Sequence, residues 1–279
     1  MALDVDSLGL LPGAVSLVRD VVHEQTGLYY DDARLGQFAD RLAPLVTNCG
    51  FETFLDYYYL LKYDARSTEE WPRIMDALAV PETYFWREVD QLRAIVDIIV
   101  PSLAAKLARP VRIWSVPCAS GEEPLSIAMM LEACGGREWV EIEASDASPA
   151  ALNAAAAGLY RDRAFRALPQ QLKDRYYTEA DGRWRIDRRL IDRIRWSRVN
   201  LLDLDEVARR AASDVILCRN VFIYFSEPAI RRVVDAFADA MPAPGYLCVG
   251  AAESLLRLTD RFELEQIGEA FVYVKKGKI

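Results

Sequence analysis

Residues Val111–Asp146, VRIWSVPCASGEEPLSIAMMLEACGGREWVEIEASD, read as strand, tight turn, helix and second strand, and the stretch ends on an acid. VRIWSVP is an apolar run of strand length and CASG a turn of small residues. EEPLSIAMMLEAC is helical, with Leu125, Ala128, Met129 and Leu131 apolar, and WVEIEASD is a strand that stops at Asp146. Two strands joined through a helix form a parallel βαβ unit with a right-handed crossover. Ligands of open α/β sheets sit at the carboxyl ends of the strands. The Cys118–Gly121 turn and Asp146 are therefore expected side by side at one edge.

Ala119, Ser120 and Gly121 carry little or no side chain and let a ligand approach the backbone closely. An acid after the second strand can accept two hydrogen bonds from a ribose diol, as in dinucleotide folds. The turn has no full G-x-G-x-x-G and no lysine to hold phosphates. A nucleoside without a pyrophosphate, such as S-adenosylmethionine, suits it better than NAD or ATP. The plainer alternative is a buried βαβ unit whose helix is capped by the box Ser120-x-x-Glu123, with Pro124 in the first turn. The turn alone leaves both open.

The composition, 52% hydrophobic and 27% charged over 279 residues, is that of an ordinary globular protein of one large or two modest domains. No apolar run reaches the roughly 18 residues of a membrane span; Ile95–Val100 is interrupted by Asp97. MALDVDSLGLLPGAV lacks a basic n-region and makes a poor signal peptide. Five cysteines without a C-x-x-C fit reduced thiols in a cytoplasmic protein, and one histidine with no Cys/His cluster argues against a metal site. A net charge of −8 disfavours a general nucleic-acid binder. The charge is uneven: residues 161–198 hold twelve Arg/Lys against six Asp/Glu, a net +6 that leaves −14 for the remainder. A basic surface on an acidic protein suits an acidic macromolecular partner; the alternative is a solvated arginine-rich face with no partner.

The organisation around this unit is read as an N-terminal helical domain (1–80), a linker (81–92) and an α/β domain (93–279) with a small antiparallel β-insertion at 161–198. Apolar spacing predicts helices over Val15–Gln25, from Asp31 or Asp32 through about Thr47, over Phe51–Tyr63, and from Ser67 or Thr68 through about Ala79. Their aromatics are expected to be core. PETYFWRE (81–88) joins the two parts, its three aromatics flanked by polar residues, and either folds over a ligand or simply packs. A helix over 89–109 leads into the first strand. Ser148 and Pro149 open a helix, ALNAAAAGLY. RYYTEADGRWRI is two β-prone runs around Ala180-Asp181-Gly182, and WSRVNLL is a strand merging into the main sheet. DVILCRN is a buried strand, Ser226-Glu227-Pro228 starts a helix through Met241, YLCVG is the next strand, and FELEQI and FVYVKK close as a hairpin around Gly268.

Four motifs in order carry a resemblance. ETYFWRE is similar to N-E-T-x-F-F-R-E, and CASGEEPLSIAMML to S-T-G-E-E-P-Y-S-I-A-M. ASDASPAALNAAAAGLY and ILCRNVFIYF resemble two further stretches of the same family, the CheR methyltransferases that methylate glutamates of chemotaxis receptors. The resemblance implies an all-helical domain followed by a Rossmann-like, seven-stranded methyltransferase sheet with a small antiparallel β-subdomain. It places S-adenosylmethionine contacts on Thr83, Arg87, Glu123, Asp146, Asn200, Leu201, Asn220 and Val221, and puts Arg87 and Tyr224 near the methyl group. Asp146 suits the ribose, Glu123 the ammonium of the methionine moiety in competition with capping, and Asn200 and Leu201 the adenine. The chain departs from the family at Pro81, where Asn is usual; proline offers neither an amide side chain nor a backbone N–H. CheR-like enzymes outside the central pathway share V-P-E-(T/S) here and often carry a helical-repeat tail, so such a tail or a regulatory protein joins the chemoreceptor cytoplasmic domain among the expected partners.

The implied reaction is attack of a glutamate carboxylate on a sulfonium methyl, giving a γ-methyl ester and S-adenosylhomocysteine. A carboxylate is already ionised at neutral pH, so the chain's one histidine, His23, is not required as a base. Arg183, Arg185 and Arg188 of the basic insertion are expected to dock the receptor. Cys218 is read as a buried strand thiol rather than a nucleophile. The alternatives are a small-molecule methyltransferase on the same scaffold and a non-catalytic, cofactor-sensing module of a receptor array.

Overall fold

A computed structural model describes residues 12–80 and 82–277. Residues 1–11 of the leader reading and the Pro81 departure lie outside these. The chain divides into two compact units, one of residues up to Val80 together with Tyr224–Ala229, the other of residues 81–223 with 230–279.

The first unit holds α1 (Pro12–Thr26), α2 (Leu35–Asn48), α3 (Phe54–Tyr63) and α4 (Ser67–Leu78). Asp31 opens a 3-10 turn that runs into α2, its side chain accepting from Arg34 N. Thr53 caps α3 by accepting from Asp56 N, so the helix starts at Phe54 rather than at Phe51, where the apolar stripe begins. Val18, Val22, Phe38, Leu42, Val46, Phe54, Tyr57 and Ile74 are buried together in one core, while Tyr59 and Tyr63 are exposed. The segment Tyr224–Ala229 joins this unit through Tyr29 N–H donating to the Tyr224 carbonyl (2.7 Å), an antiparallel bridge between Leu28 and Phe225, and His23 Nε2 sharing a hydrogen bond with Ser226 Oγ (2.8 Å).

The second unit opens on α5 (Val89–Arg93), a π-helical stretch (Ala94–Ile99) and α6 (Val100–Ala104). The expected single helix is thus widened just before Pro101, whose ring would meet the Asp97 carbonyl in a regular α turn, and it stops at Ala104 rather than near 109. Then follow β1 (Val111–Ser115), α7 (Glu122–Ala133), β2 (Val140–Asp146), α8 (Pro149–Ala157), β3 (Leu159–Tyr160), α9 (Gln170–Tyr176), β4 (Tyr177–Ala180), β5 (Arg183–Ile186), α10 (Arg188–Asp192) and β6 (Ile194–Arg198). The chain continues through α11 (Leu204–Arg210), β7 (Val215–Leu217), α12 (Glu227–Ala240), β8 (Gly245–Cys248), β9 (Glu263–Ile267) and β10 (Ala270–Lys275).

Seven strands form one mixed sheet in the order β6-β2-β1-β7-β8-β10-β9. The five from β6 to β8 are parallel, and β10 and β9 close the sheet as an antiparallel hairpin. The strand order reverses between β1 and β7, the switch point at which such sheets open a crevice. Strand β1 is buried at four of its five residues, and Trp114 packs edge-on against Phe237 of α12 while donating to Ser145 Oγ.

The insertion is a separate sheet, β3-β5-β4, and β6 leaves it for the main sheet. Asp181 and Gly182, both at positive φ, make the tight β4–β5 turn. Leu159 and Tyr160, expected to continue the helix from Pro149, instead pair with Arg185 and Trp184. Gly158 ends α8 in the left-handed conformation, and a Cβ there would press on Ile186 and Ile191.

Candidate cofactor-binding site

Three strand ends converge around the turn after β1. Val116 N–H donates to the Leu217 carbonyl on the β7 side, and Cys118 N–H to the Ser145 carbonyl on the β2 side, both at 2.8 Å. Ala119 N–H then reaches Asp146 Oδ2 (2.9 Å), while Ser148 N–H holds Oδ1 (2.9 Å). Asp146 is 9% exposed, and its orientation is set by backbone amides rather than by rotamer preference alone. Val199 N–H donates to the Asp146 carbonyl and brings Asn200 and buried Leu201 alongside. Asn200 Oδ1 accepts from Leu202 N–H, an Asx turn that fixes this loop.

The expected capping box is not formed. The residue preceding α7 is Gly121 at φ 92°, and a side-chain cap needs an extended residue there. The Ser120 hydroxyl donates instead to Glu122 Oε2 (2.7 Å). The missing side chain of Gly121 serves packing: a Cβ would lie 2.9 Å from Trp196 and 3.1 Å from Ala155.

Glu123 points into the sheet. Its Oε1 accepts from Ser115 Oγ (2.6 Å) and its Oε2 from Arg219 Nη1 (2.7 Å), so a ligand ammonium would share this carboxylate with both. Burial pushes the Glu123 carboxyl above the usual range, against the opposing pull of Arg219. Arg219 itself is buried, and its Nη2 donates to the Arg87 carbonyl (2.7 Å) and pairs with Glu88 Oε2 (3.2 Å). The sequence reading passed over Arg219 for its neighbour Cys218. The available signal was an arginine closing an apolar strand, since a buried charge must find partners. Burial raises the Cys218 thiol well above its ordinary value, as suits an inert thiol.

The linker is tied to the same place. Thr83 is half-buried. Phe85 N–H donates to the Ala164 carbonyl and Trp86 N–H to Ser126 Oγ. The Phe85 ring stacks on Phe165 and meets Tyr160 and Tyr177 edge-on, so the aromatics of the linker pack against the insertion. Arg87 Nη1 donates to the Glu82 carbonyl (2.7 Å), and its side chain keeps 25% exposure. Asn220, at φ 60°, donates its N–H to Glu253 Oε2, which also accepts from Gly250 N–H. Val221 follows, nearly buried. Of the five non-glycine residues at positive φ among those described, Trp86, Glu88, Ala119 and Asn220 belong to this linker and these strand ends. Each such conformation costs about 1–3 kcal/mol, and they concentrate where a site over-determines the backbone.

Thr83, Arg87, Glu123, Asp146, Asn200, Leu201, Asn220 and Val221 thus lie within one unit, on the strand-end loops, α7 and the linker bound to them. Tyr224 is half-buried and described with the helical unit. Arg183 and Arg185 project from one face of β5 and are exposed, with Ile186 buried on the other face. Arg188 is exposed but held by Asp192 Oδ1 and the Ala156 carbonyl.

S-adenosylmethionine fits this donor set. A carboxylate has about four lone-pair sites, so a ribose diol beside the two amides is within the capacity of Asp146. Carboxylates of Glu122, Glu123 and Asp146 outnumber the guanidinium groups of Arg87 and Arg219, which suits a ligand whose sulfonium and ammonium outweigh its one carboxylate. A cavity of about 320 Å³ lined by Val96, Val100, Leu131, Cys134 and Trp139 shares none of these residues. The described residues hold no cluster of three or more metal-ligating side chains, and no helix long and apolar enough to cross a membrane.

Comparison with known proteins agrees with this geometry. The profile "CheR methyltransferase, SAM binding domain" matches residues 81–271, and "CheR methyltransferase, all-alpha domain" matches residues 14–79. The chain is 34% identical over 269 residues to chemotaxis protein methyltransferase 2 of Vibrio cholerae, covering 93% of this chain and 92% of that one. It is 32% identical to the chemotaxis protein methyltransferase of Vibrio parahaemolyticus, covering 91% and 94%. A probable biofilm formation methyltransferase, WspC of Pseudomonas putida, is 31% identical over 79% of this chain and 52% of its own length. With an all-helical domain, a seven-stranded sheet presenting an acid at the end of its second strand, and profiles matching both halves, the chain belongs to the CheR methyltransferase family.

Proposed function

We propose that this methyltransferase esterifies glutamate side chains in the cytoplasmic domain of a chemoreceptor, using S-adenosylmethionine held at Asp146. The carrying observation is the Asp146 carboxylate, clamped by Ala119 and Ser148 amides at the end of β2. Family membership and relatives described as chemotaxis methyltransferases support the substrate class.

The cofactor, when bound, supplies an electrophilic methyl; the glutamate oxygen gains the O–CH3 bond, and the breaking bond leaves its electron pair on sulfur. No proton moves, because the attacking carboxylate is already ionised. Rate then comes from alignment and from removing water around the two charges. Arg87, anchored by one arm to the Glu82 carbonyl, orients the carboxylate through its remaining donors. The family resemblance assigns the Tyr224 hydroxyl the same task. Arg183, Arg185 and Arg188 offer an exposed basic face to an acidic receptor. The protein works in the cytoplasm, where receptor signalling domains lie. A helical-repeat tail or regulatory protein outside this chain is a further proposed partner; the WspC relative is about twice as long as its matched part.

The test is incubation of methyl-labelled S-adenosylmethionine with receptor cytoplasmic fragments, followed by mild base. Release of label as methanol from the fragments supports the reading. Base-stable label, label on a small molecule only, or no transfer overturns it in favour of another acceptor or of a non-catalytic module.

A further inference from the structure

Arg219 and Glu88 form a latch whose properties reach beyond cofactor contact. The linker residues Trp86 and Glu88 sit at φ 67° and 50°, conformations that a free chain would leave. Glu88 is the point where they are held. Its Oε2 takes Arg219 Nη2 (3.2 Å) and Ala251 N–H (3.1 Å), and its Oε1 takes Asn220 Nδ2 (3.4 Å). Gln91 Nε2 adds a bond to the Val249 carbonyl one turn later. Arg219, with a side chain only 2% exposed, spends one arm on Glu123 in α7 and the other on the Arg87 carbonyl and Glu88. Its Nε has no partner. Natural cores rarely leave such a donor unpaired, so this arrangement favours placement of the linker over full satisfaction of the guanidinium.

We propose that Arg219 and Glu88 are positioning residues for methyl transfer. They lock the backbone at Arg87 to the ends of β7 and β8 and to Glu123, so that the Arg87 side chain meets the substrate in one orientation. Neither residue need touch cofactor or substrate. The proposal rests on the assignment of Arg87 to the reacting carboxylate, and its test separates the two.

The experiment uses the full chain with Glu88→Gln and Arg219→Lys, variants that keep size and some hydrogen bonding while removing the two-armed ion pair. Hydrogen exchange read by mass spectrometry is expected to show the amides of residues 82–88 exchanging at least tenfold faster in both variants. Amides of β1 and α7 should be unchanged. Methyl transfer to receptor fragments is expected to lose at least tenfold in kcat, with KM for the receptor and affinity for S-adenosylhomocysteine each within about threefold. Glu88→Asp, which keeps the charge, should recover part of the kcat. Unchanged linker exchange in Glu88→Gln and Arg219→Lys overturns the latch whatever the activity. Faster exchange with unchanged kcat overturns the positioning role. A wild-type chain that methylates no receptor, while the variants still free the linker, refutes the substrate assignment and leaves the latch standing.

Discussion

The two ends of the central sheet each carry an arginine–carboxylate cluster, and they are built differently. At the end where β1 and β7 begin, Arg109 grips both oxygens of Asp214 (2.7 and 2.9 Å), and Arg112 N–H adds a third donor. Asp214 is buried, Arg109 reaches solvent, and the neighbouring backbone shows no positive φ outside glycine. At the other end Arg219 is wholly inside, divides its arms among Glu123, Glu88 and a carbonyl, and has a neighbour, Asn220, in the left-handed region. The first cluster leaves no buried side-chain donor or acceptor without a partner. The second leaves Nε unmatched and ties the linker to α7. Stability alone selects the first pattern; the second makes sense where a loop must be held in place for chemistry.

That contrast can be broken at four points. The largest effect is expected for Arg219→Met, which strands Glu123 and Glu88 and should cost about 3–5 kcal/mol in denaturant unfolding. The loss has a pH signature. Burial raises the Glu123 carboxyl and Arg219 opposes the rise, so removing Arg219 raises it further. The folded variant then keeps a proton that the unfolded chain has lost, and its deficit against wild type should widen as pH rises above the ordinary carboxylate range. A deficit that narrows there would contradict the charge assignment.

Next, Arg87→Ala should lower kcat by roughly ten- to a hundredfold, about 1.4–2.7 kcal/mol of barrier, with a smaller change in affinity for S-adenosylhomocysteine. Equal losses in both would make Arg87 a cofactor ligand only. Arg109→Ala, at the opposite end, should cost about 1–3 kcal/mol, because the buried Asp214 carboxylate keeps the Arg112 amide but loses both guanidinium donors, and it should leave kcat unchanged. A fall in kcat there would erase the distinction between the two ends. The smallest effect is expected for Arg183→Glu, Arg185→Glu and Arg188→Glu combined. It is a severalfold rise in KM for receptor fragments that fades at high salt, with turnover on saturating substrate retained.

How much of this was legible beforehand follows the range of the interactions. The β1–α7–β2 unit and its acid could be read because alternation, helical spacing and the terminal Asp146 all lie within one continuous stretch. The Asp181-Gly182 turn was legible for the same reason. Leu159 and Tyr160 were not, since an alanine-rich run favours helix and only pairing with Arg185 and Trp184 makes them a strand. Ser120 and Glu123 matched a capping box by spacing alone, and buried partners on β1 and just after β7 drew Glu123 away. The Arg219 network joins residues 96 and 132 positions apart, a pairing that no local pattern encodes.

The central claim, that the cofactor lodges against Asp146 at the end of β2, is tested most directly by calorimetric titration of S-adenosylhomocysteine into wild type, Asp146→Ala and Arg109→Ala. Two hydrogen bonds to a charged group are worth about 3 kcal/mol or more, so Asp146→Ala should weaken binding at least a hundredfold while Arg109→Ala binds as wild type does. Undiminished binding in Asp146→Ala would contradict the account.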